Sequence, residues 1–235
     1  MEKTMETQKE MIELTILMPC LNEESNIADS IRAAKTFLEE EKVVGEILIV
    51  NNGSVDQSVN IANSLNARII TEEKRGYGNA IRCGIQHAYG TYIIMGDCDS
   101  TYNFKHLSPF LDTLRKTNCL VVGNRFAGGI EQGAMPFSHR YIGIPFLSWL
   151  GRQRYHVMLK DFHCGLRGFH TAQAKKLNLK SEGMEFATEI IAQFASYNLP
   201  IVEVPTTLSI SKFPRHSHLH TIRDGFRHLA YILKK

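Results

Sequence analysis

Two carboxylates, Asp97 and Asp99, flank Cys98 immediately after the apolar run Thr91–Gly96. That run reads as a buried strand, so the pair stands at a strand's C-terminal end, where open α/β sheets collect their ligands. Hard oxygen ligands in that place suit Mg2+ or Mn2+, cations that keep waters and substrate phosphates in their remaining positions. Asp99 is assigned to direct coordination, and Asp97 to a ribose or to the ion through water. Both are thus metal ligands and catalytic residues in this reading, the charge serving to stabilise a departing anion. An Asp-x-Asp pair also arises by chance in loops, so its neighbours matter.

Three upstream segments fall at equivalent places. Pro19-Cys20-Leu21-Asn22-Glu23 follows one predicted strand, and Asn51-Asn52-Gly53-Ser54-Val55-Asp56 follows the next. Arg75-Gly76-Tyr77-Gly78-Asn79-Ala80 follows a third. The last lacks the final glycine of a dinucleotide fingerprint, carrying Ile81 there, and stands after the wrong strand for one. Past Arg125 the chain is rich in bases: His139-Arg140-Tyr141, Arg152, Arg154, Lys160 and Arg167. Arginine binds phosphate through bidentate, charge-assisted bonds, which makes Arg125, Arg140 and Arg167 candidate phosphate ligands. Glu185 and Glu189 lie one helical turn apart and share a face. His216, His218 and His220 alternate on one face of an extended segment, a spacing open to metal binding, phosphate contact or a plain polar loop.

Short β-branched runs alternate with helical patterns, as in a mostly parallel sheet covered by helices. Strands are expected at Leu14–Met18, Glu46–Val50, Arg68–Thr71, Thr91–Met95, Leu120–Gly123 and Ile201–Val204, with a returning strand at Gly165–Phe169. Helices are expected at Glu23–Glu41, Asp56–Leu65, Asn79–Ala88 and Met184–Tyr197. Gly128–Gly133 reads as a loop, and Pro136–Leu159 as amphipathic, partly aromatic material. Residues 1–13 form an N-terminal extension and 14–235 a single domain, whose halves divide at about residue 124.

The 235 residues are 43% hydrophobic and 22% charged, with a net charge of +3. This is the balance of an ordinary globular protein, and the charge is too small for a nucleic-acid binder without a concentrated patch. Five scattered cysteines without Cys-x-x-Cys spacing point to reduced thiols in the cytoplasm. The charged first ten residues hold no secretory signal, and no run approaches the roughly 20 apolar residues of a membrane span.

In their order, these segments resemble the GT-A glycosyltransferases of family 2, and within them the polyprenyl-phosphate (dolichyl-phosphate) mannose and glucose synthases. The resemblance runs from about Leu14 to Ala230. It implies an α/β GT-A fold and an inverting, metal-dependent transfer of a hexose from a UDP- or GDP-sugar to a polyprenyl phosphate. Pro19, Asn22, Glu23, Asn51 and Ser54 would then bind base and ribose, with Gly76, Asn79 and Ala80 forming the turn that approaches the donor. Glu185 and Glu189 would line the sugar pocket, although ion pairing within the fold is the competing role for them. Relatives usually carry Asp-Asp-Gly-Ser where this chain has Asn51-Asn52-Gly53-Ser54, which leaves the base open. Gly123–Phe126 and Asp161–Phe169 resemble the segments around the acceptor pocket, with Asp161 as an organiser of the donor sugar or a weak base.

Residues 14–124 would be the nucleotide-sugar half and 125–235 the acceptor half. Many relatives carry C-terminal transmembrane helices, whereas this chain stops at Lys235 after a helix-like segment. Either the sequence is a trimmed piece of a longer protein, or contact with the cytosolic face of a membrane is expected at its surface only. Ile222, Phe226, Leu229, Ile232 and Leu233 share one stripe beside Arg223, Arg227, His228, Lys234 and Lys235, a pattern that suits either a membrane interface or the protein's own core. Ile142–Leu150, with Trp149, offers a second apolar surface. Two alternatives stand beside the main reading: a family 2 transferase acting on a saccharide hydroxyl, and a non-catalytic nucleotide-sugar-binding module.

Overall fold

The computed structural model describes residues 11–211, 213 and 221–234. The charged opening residues 1–10, the histidine run 216–220 and Lys235 lie outside the described residues. In chain order the elements are β1 (Leu14–Cys20), α1 (Ile27–Glu40), β2 (Gly45–Asn51), α2 (Ser58–Ser64), β3 (Arg68–Thr71), α3 (Tyr77–His87) and β4 (Tyr92–Met95). There follow α4 (Ser108–Lys116), β5 (Leu120–Asn124), α5 (Arg125–Gly128), a π-helical turn at His139–Gly143, α6 (Ile144–Tyr155) and β6 (Arg167–His170). The chain closes with α7 (Thr171–Ala174), α8 (Phe186–Ser196), β7 (Ile201–Pro205) and α9 (Thr221–Leu233).

The strands form one seven-stranded sheet in the order β3-β2-β1-β4-β6-β5-β7. All neighbours run parallel except β6, which returns antiparallel to both β4 and β5. Helices cover both faces, so the central strands need no polar alternation. Thus Leu14, Ile16, Leu17 and Met18 of β1 are buried throughout, as is every residue of β5. The parallel register pairs Leu17 of β1 with Met95 of β4. Cys20 and the Asp97–Asp99 segment therefore emerge at the same edge of the sheet.

Differences from the sequence expectations have local causes. Helix α1 starts at Ile27 rather than Glu23, because residues 21–26 turn, with Asn22 at φ +55°, and bond to the segment after β2. Helix α4, for which no element was expected, is short and opens on Pro109; it buries Phe110, Leu111 and Leu114. The amphipathic stretch after Pro136 condenses into the π-helical turn and α6. All five cysteines are free thiols. No helix among the described residues is long and apolar enough to cross a membrane.

Candidate active site

A cavity of about 640 Å³ opens at the C-terminal edge of β1, β2 and β4, and extends across the sheet toward β5 and β6. Asp97 and Asp99 both line it. Asp99 is 2% exposed, and its Oδ1 accepts from the Thr101 N–H at 2.9 Å and the Thr101 hydroxyl at 2.5 Å. Ser100, at φ +63°, makes the sharp turn between them and donates from Oγ to the Asn26 carbonyl at 3.2 Å. The carboxylate is thus fixed to the entry of α1. Asp97 is hydrogen-bonded to the Tyr77 hydroxyl, whose pKa is raised well above normal by burial and by the Asp97 charge. Gly165 covers Asp97 so closely that a Cβ there would come within 2.8 Å of Oδ2. Two hard carboxylates with fixed bases fit a divalent cation that completes its shell from a diphosphate and water. No cluster of three or more His, Cys, Asp or Glu among the described residues forms a closed metal cage.

At the ends of β1 and β3, Pro19, Glu23, Gly76 and Ala80 line the cavity. Asn22, Asn51 and Ser54 stand behind its wall and stitch it. Asn22 Oδ1 accepts from the Val55 N–H at 2.8 Å, Ser54 Oγ accepts from the Asn22 N–H at 3.0 Å, and Asn51 Oδ1 accepts from the Ser54 N–H at 2.9 Å. Asn79 likewise turns inward, donating to the Arg75 carbonyl at 3.1 Å and accepting from Arg82. Asn52, adjacent to the expected Asn51, does reach the cavity. Its Nδ2 donates to the carbonyls of Glu72 and Lys74, both at 2.9 Å, and its Oδ1 accepts from the Gly76 N–H at 2.8 Å. A carboxylate has no hydrogen for those two carbonyls, which gives the amide at this position a structural reason.

The two glycines of Gly76-Tyr77-Gly78 are required by a close approach of backbone. A Cβ on either would fall 2.2 Å from a carbonyl oxygen, of Glu182 or Ser181 respectively. Glu182 O also accepts from the N–H groups of Gly78 at 2.9 Å and Asn79 at 3.3 Å. The first turn of α3 therefore spends these donors on a neighbouring loop rather than on a ligand. Glu189 holds that loop, accepting from the N–H groups of Lys180 and Ser181 at 2.8 Å each. Glu185 accepts from the Gly183 N–H at 3.2 Å and pairs with Arg227 at 3.0 Å. Neither glutamate lines the cavity; both support its wall from behind.

The three arginines separate. Arg125 lines the cavity but is locked to Asp161 by Nε to Oδ2 at 2.7 Å, Nη2 to Oδ1 at 2.8 Å and its own backbone N–H at 3.1 Å. Burial opposes the guanidinium charge, yet Tyr102 and Asp161 outweigh it and hold the pKa above normal. Asp161 is fully buried and does not itself line the cavity. Arg167, also at the cavity, is 1% exposed and donates to the carbonyls of Cys164, Ala187 and Phe162 at 2.8, 2.6 and 2.7 Å. Arg140 is not brought to the cavity: the π-helical turn directs His139 there and leaves Arg140 over the Tyr141 ring, 5.4 Å from its centroid.

Several lining residues lie outside the site expected from the sequence. Helix α9 contributes Arg223, Asp224, Arg227 and His228 to the wall, because its Asp224, His228 and Ile232 side is buried against α6 and α8. His228 Nδ1 bonds the Thr188 hydroxyl at 2.8 Å, and its ring meets that of His163 edge to face, 4.4 Å between centroids. Periodicity announces an amphipathic helix but not the surface its buried side will meet.

A family model for glycosyl transferase family 2 matches residues 15–178. The chain belongs to that family. It is 34% identical over 223 residues to the low-salt glycan biosynthesis hexosyltransferase Agl6 of Haloferax volcanii, covering 94% of this chain and 53% of the relative. The chain thus spans about half the length of that protein. It is 27% identical to a dolichyl-phosphate beta-glucosyltransferase of Drosophila melanogaster, covering 92% of this chain and 74% of the relative. Among solved structures, glucosyl-3-phosphoglycerate synthase of Mycobacterium tuberculosis, crystallised with Mn2+ and UDP-glucose, superposes with a TM-score of 0.68. That match is 18% identical over 94% of this chain and 78% of the other, and it establishes the GT-A-like fold.

Two outcomes test this geometry. Asn52→Asp removes both hydrogens given to Glu72 and Lys74. It should lower unfolding stability by about 1–3 kcal/mol; an unchanged denaturation midpoint would show that the stitch is unimportant. The second concerns His228, which faces His163, Thr188, Arg167, Glu185, Asp224 and Arg227. Burial, then Arg167, lowers its pKa from 6.5 to about 4. The unfolded chain therefore binds the extra proton first, and stability present above pH 6.5 is lost as pH falls toward about 4. At roughly 1.4 kcal/mol per pH unit the loss is on the order of 3 kcal/mol. A His228→Gln variant should show a flatter melting profile over that window, and equal slopes would contradict the assignment.

Proposed function

We propose that this chain is an inverting hexosyltransferase that moves a sugar from a nucleoside-diphosphate donor to a polyprenyl phosphate. The observation that carries this is one cavity that brings together chemically distinct sets of groups. Asp97 and Asp99 line it, and so do the guanidinium groups of Arg125 and Arg167 and an apolar wall of Met135, Ile144 and Leu147. The names of the Drosophila relative and of a Haloferax volcanii dolichyl-phosphate hexose transferase support the acceptor class. Mn2+ and UDP-glucose in the mycobacterial structure support the donor class.

In this reading Pro19, Glu23 and Asn52 border the nucleoside, and Gly76 and Ala80 shape the wall beside it. Asp97 and Asp99 would hold Mg2+ or Mn2+, which when bound supplies positive charge to the departing diphosphate. A lipid phosphate attacks with an oxygen that is already ionised, so no strong base is required. Arg125 and Arg167 each have guanidinium hydrogens beyond those given to Asp161 and to the carbonyls, and at the cavity these would orient that phosphate. Asp161 acts by positioning Arg125. Arg223 and Arg227 stand on α9, where they would meet the diphosphate. A saccharide-hydroxyl acceptor is the second reading, favoured by one observation: the buried carboxylate of Asp224 lines the cavity, where it could serve as the base.

The membrane-facing surface we assign to the segment before and within α6 rather than to α9. Met135, His139, Ile144 and Leu147 face the cavity, while Phe137, Tyr141, Ile142, Phe146 and Trp149 are 73, 57, 63, 52 and 49% exposed. One side of the segment thus walls the site, and the other presents aromatic rings beside Arg140, Arg152 and Arg154. Tyrosine and tryptophan favour the level of lipid headgroups, so an acceptor anchored in a bilayer would reach the cavity across this segment.

Incubation with radiolabelled UDP- and GDP-hexoses, Mn2+ and a detergent-dispersed polyprenyl phosphate should yield an organic-extractable hexosyl lipid. Asp99→Ala and excess chelator should each remove the product while leaving the fold's circular dichroism unchanged. Product formed only on a soluble hydroxyl acceptor would select the second reading. Separately, Phe146→Ser/Trp149→Ser should weaken co-sedimentation with anionic vesicles by about tenfold or more, since burying each ring stabilises binding by roughly 1.5–3 kcal/mol. Unchanged co-sedimentation would place the membrane contact elsewhere.

A further inference from the structure

His163 is a polar residue of the cavity that no bond in the protein explains. Its backbone N–H donates to Asp161 Oδ1 at 3.3 Å, which fixes the main chain. Both ring nitrogens, in contrast, are buried without a hydrogen-bond partner. Native interiors leave few such groups, and one beside a cavity calls for a ligand or a water. The ring cannot wander to find one, because its face or edge is set against His228, with the ring planes 89° apart. A half-turn about Cβ–Cγ, however, keeps the ring's outline and exchanges each nitrogen with a carbon. A terminal torsion of this kind is soft, so a ligand in the cavity can be met without repacking the wall.

The chemistry of that ligand follows from charge and position. Burial first, then His228, Arg125 and Arg167, keep the imidazole well below its ordinary pKa, and so neutral. A neutral imidazole offers one donor and one acceptor. A hydroxyl can meet either nitrogen, as acceptor to the N–H or as donor to the bare nitrogen; a phosphate oxygen, which only accepts, can meet the N–H alone. The sheet order sets the place: β2 and β1 border the nucleoside end, β4 delivers the two aspartates, and β6 and β5 come next. His163 precedes β6 by four residues and lies beyond the aspartates in that progression. The group attached past a diphosphate is the sugar.

We infer that His163 binds a hydroxyl of the transferred hexose, and so helps select the donor sugar. This rests on the reading of the cavity as a donor site. The test is calorimetric titration, with Mn2+ present, of UDP, GDP and their glucose and mannose esters into the wild-type protein, His163→Ala and His163→Asn. For whichever nucleotide the wild type binds, His163→Ala should keep the nucleoside diphosphate affinity within about twofold. It should lose about tenfold in affinity for the nucleotide sugar, as expected for one lost hydrogen bond to the ring. His163→Asn, which retains a donor and an acceptor, should recover part of that loss. In turnover, the deficit should appear in the donor KM and not in the lipid-phosphate KM. Equal losses for nucleotide and nucleotide sugar would make His163 a wall residue, and no loss for either would remove it from the site. A wild type that binds no nucleoside diphosphate would overturn the donor-site reading itself, and this assignment with it.

Discussion

The buried ion pair of Arg125 and Asp161 is the constraint on which the second half of the site depends. Asp161 is fully buried, and the side chain of Arg125 is 9% exposed, so removing either charge would strand the other. Breaking such a pair costs about 3–5 kcal/mol, far more than its presence contributes over an apolar core. What the pair secures is placement. It ties the end of β5 to the 161–165 loop, and the same loop gives the N–H groups of Lys160 and Asp161 to Glu203 of β7 at 2.6 and 2.9 Å. Asn124 joins from β5, donating to Glu203 at 3.1 Å. Three separate segments are thus held as one body, with His163 and Gly165 carried on it. Gly165 then sets the roof over Asp97, so the Arg125–Asp161 pair and the aspartate pair share a common frame.

A second frame holds the loops that follow β1, β2 and β3. The side chains of Asn22, Asn51, Asn52, Ser54 and Ser58 bond to backbone groups of those loops. The carboxylates of Glu24, Asp56 and Glu72 add bonds to the N–H groups of Gln57, Glu24, Ser58 and Lys74. Positive charge at the cavity comes from Arg125, Arg167 and the α9 wall. In the proposed reaction the Asp97 and Asp99 carboxylates would hold a cation and the guanidinium groups would attract an anion, so that one cavity would receive two anionic substrates.

Much of this was legible in the sequence, where short-range pattern and physical role coincide. The strand-end placement of Asp97 and Asp99, the alternation of strands and helices, and the returning β6 all follow from local periodicity and turn residues. The role of a side chain was legible only when its partner lay nearby in the chain. Glu189, one helical turn from Glu185, looks like a pocket residue until its oxygens are found on the N–H groups of Lys180 and Ser181. Arg140 looks like a phosphate ligand until the π-helical turn shifts the phase of its face and sends His139 inward instead. Asn52 reads as a departure from a familiar motif, and only the fold brings Glu72 and Lys74 within its reach. Helix α9 has the pattern of a surface-seeking helix, yet that pattern cannot state which side of the apolar stripe meets the core.

The proposed reaction depends most directly on where a divalent cation and a diphosphate would sit. Crystals grown with Mn2+ and the bound nucleoside diphosphate would locate the metal by its anomalous scattering, independently of any activity. One anomalous peak within coordinating distance of the Asp99 carboxylate, bridged to the diphosphate, is the predicted result. A nucleotide bound with its phosphates away from Asp97 and Asp99, or a metal held elsewhere in the fold, would contradict it.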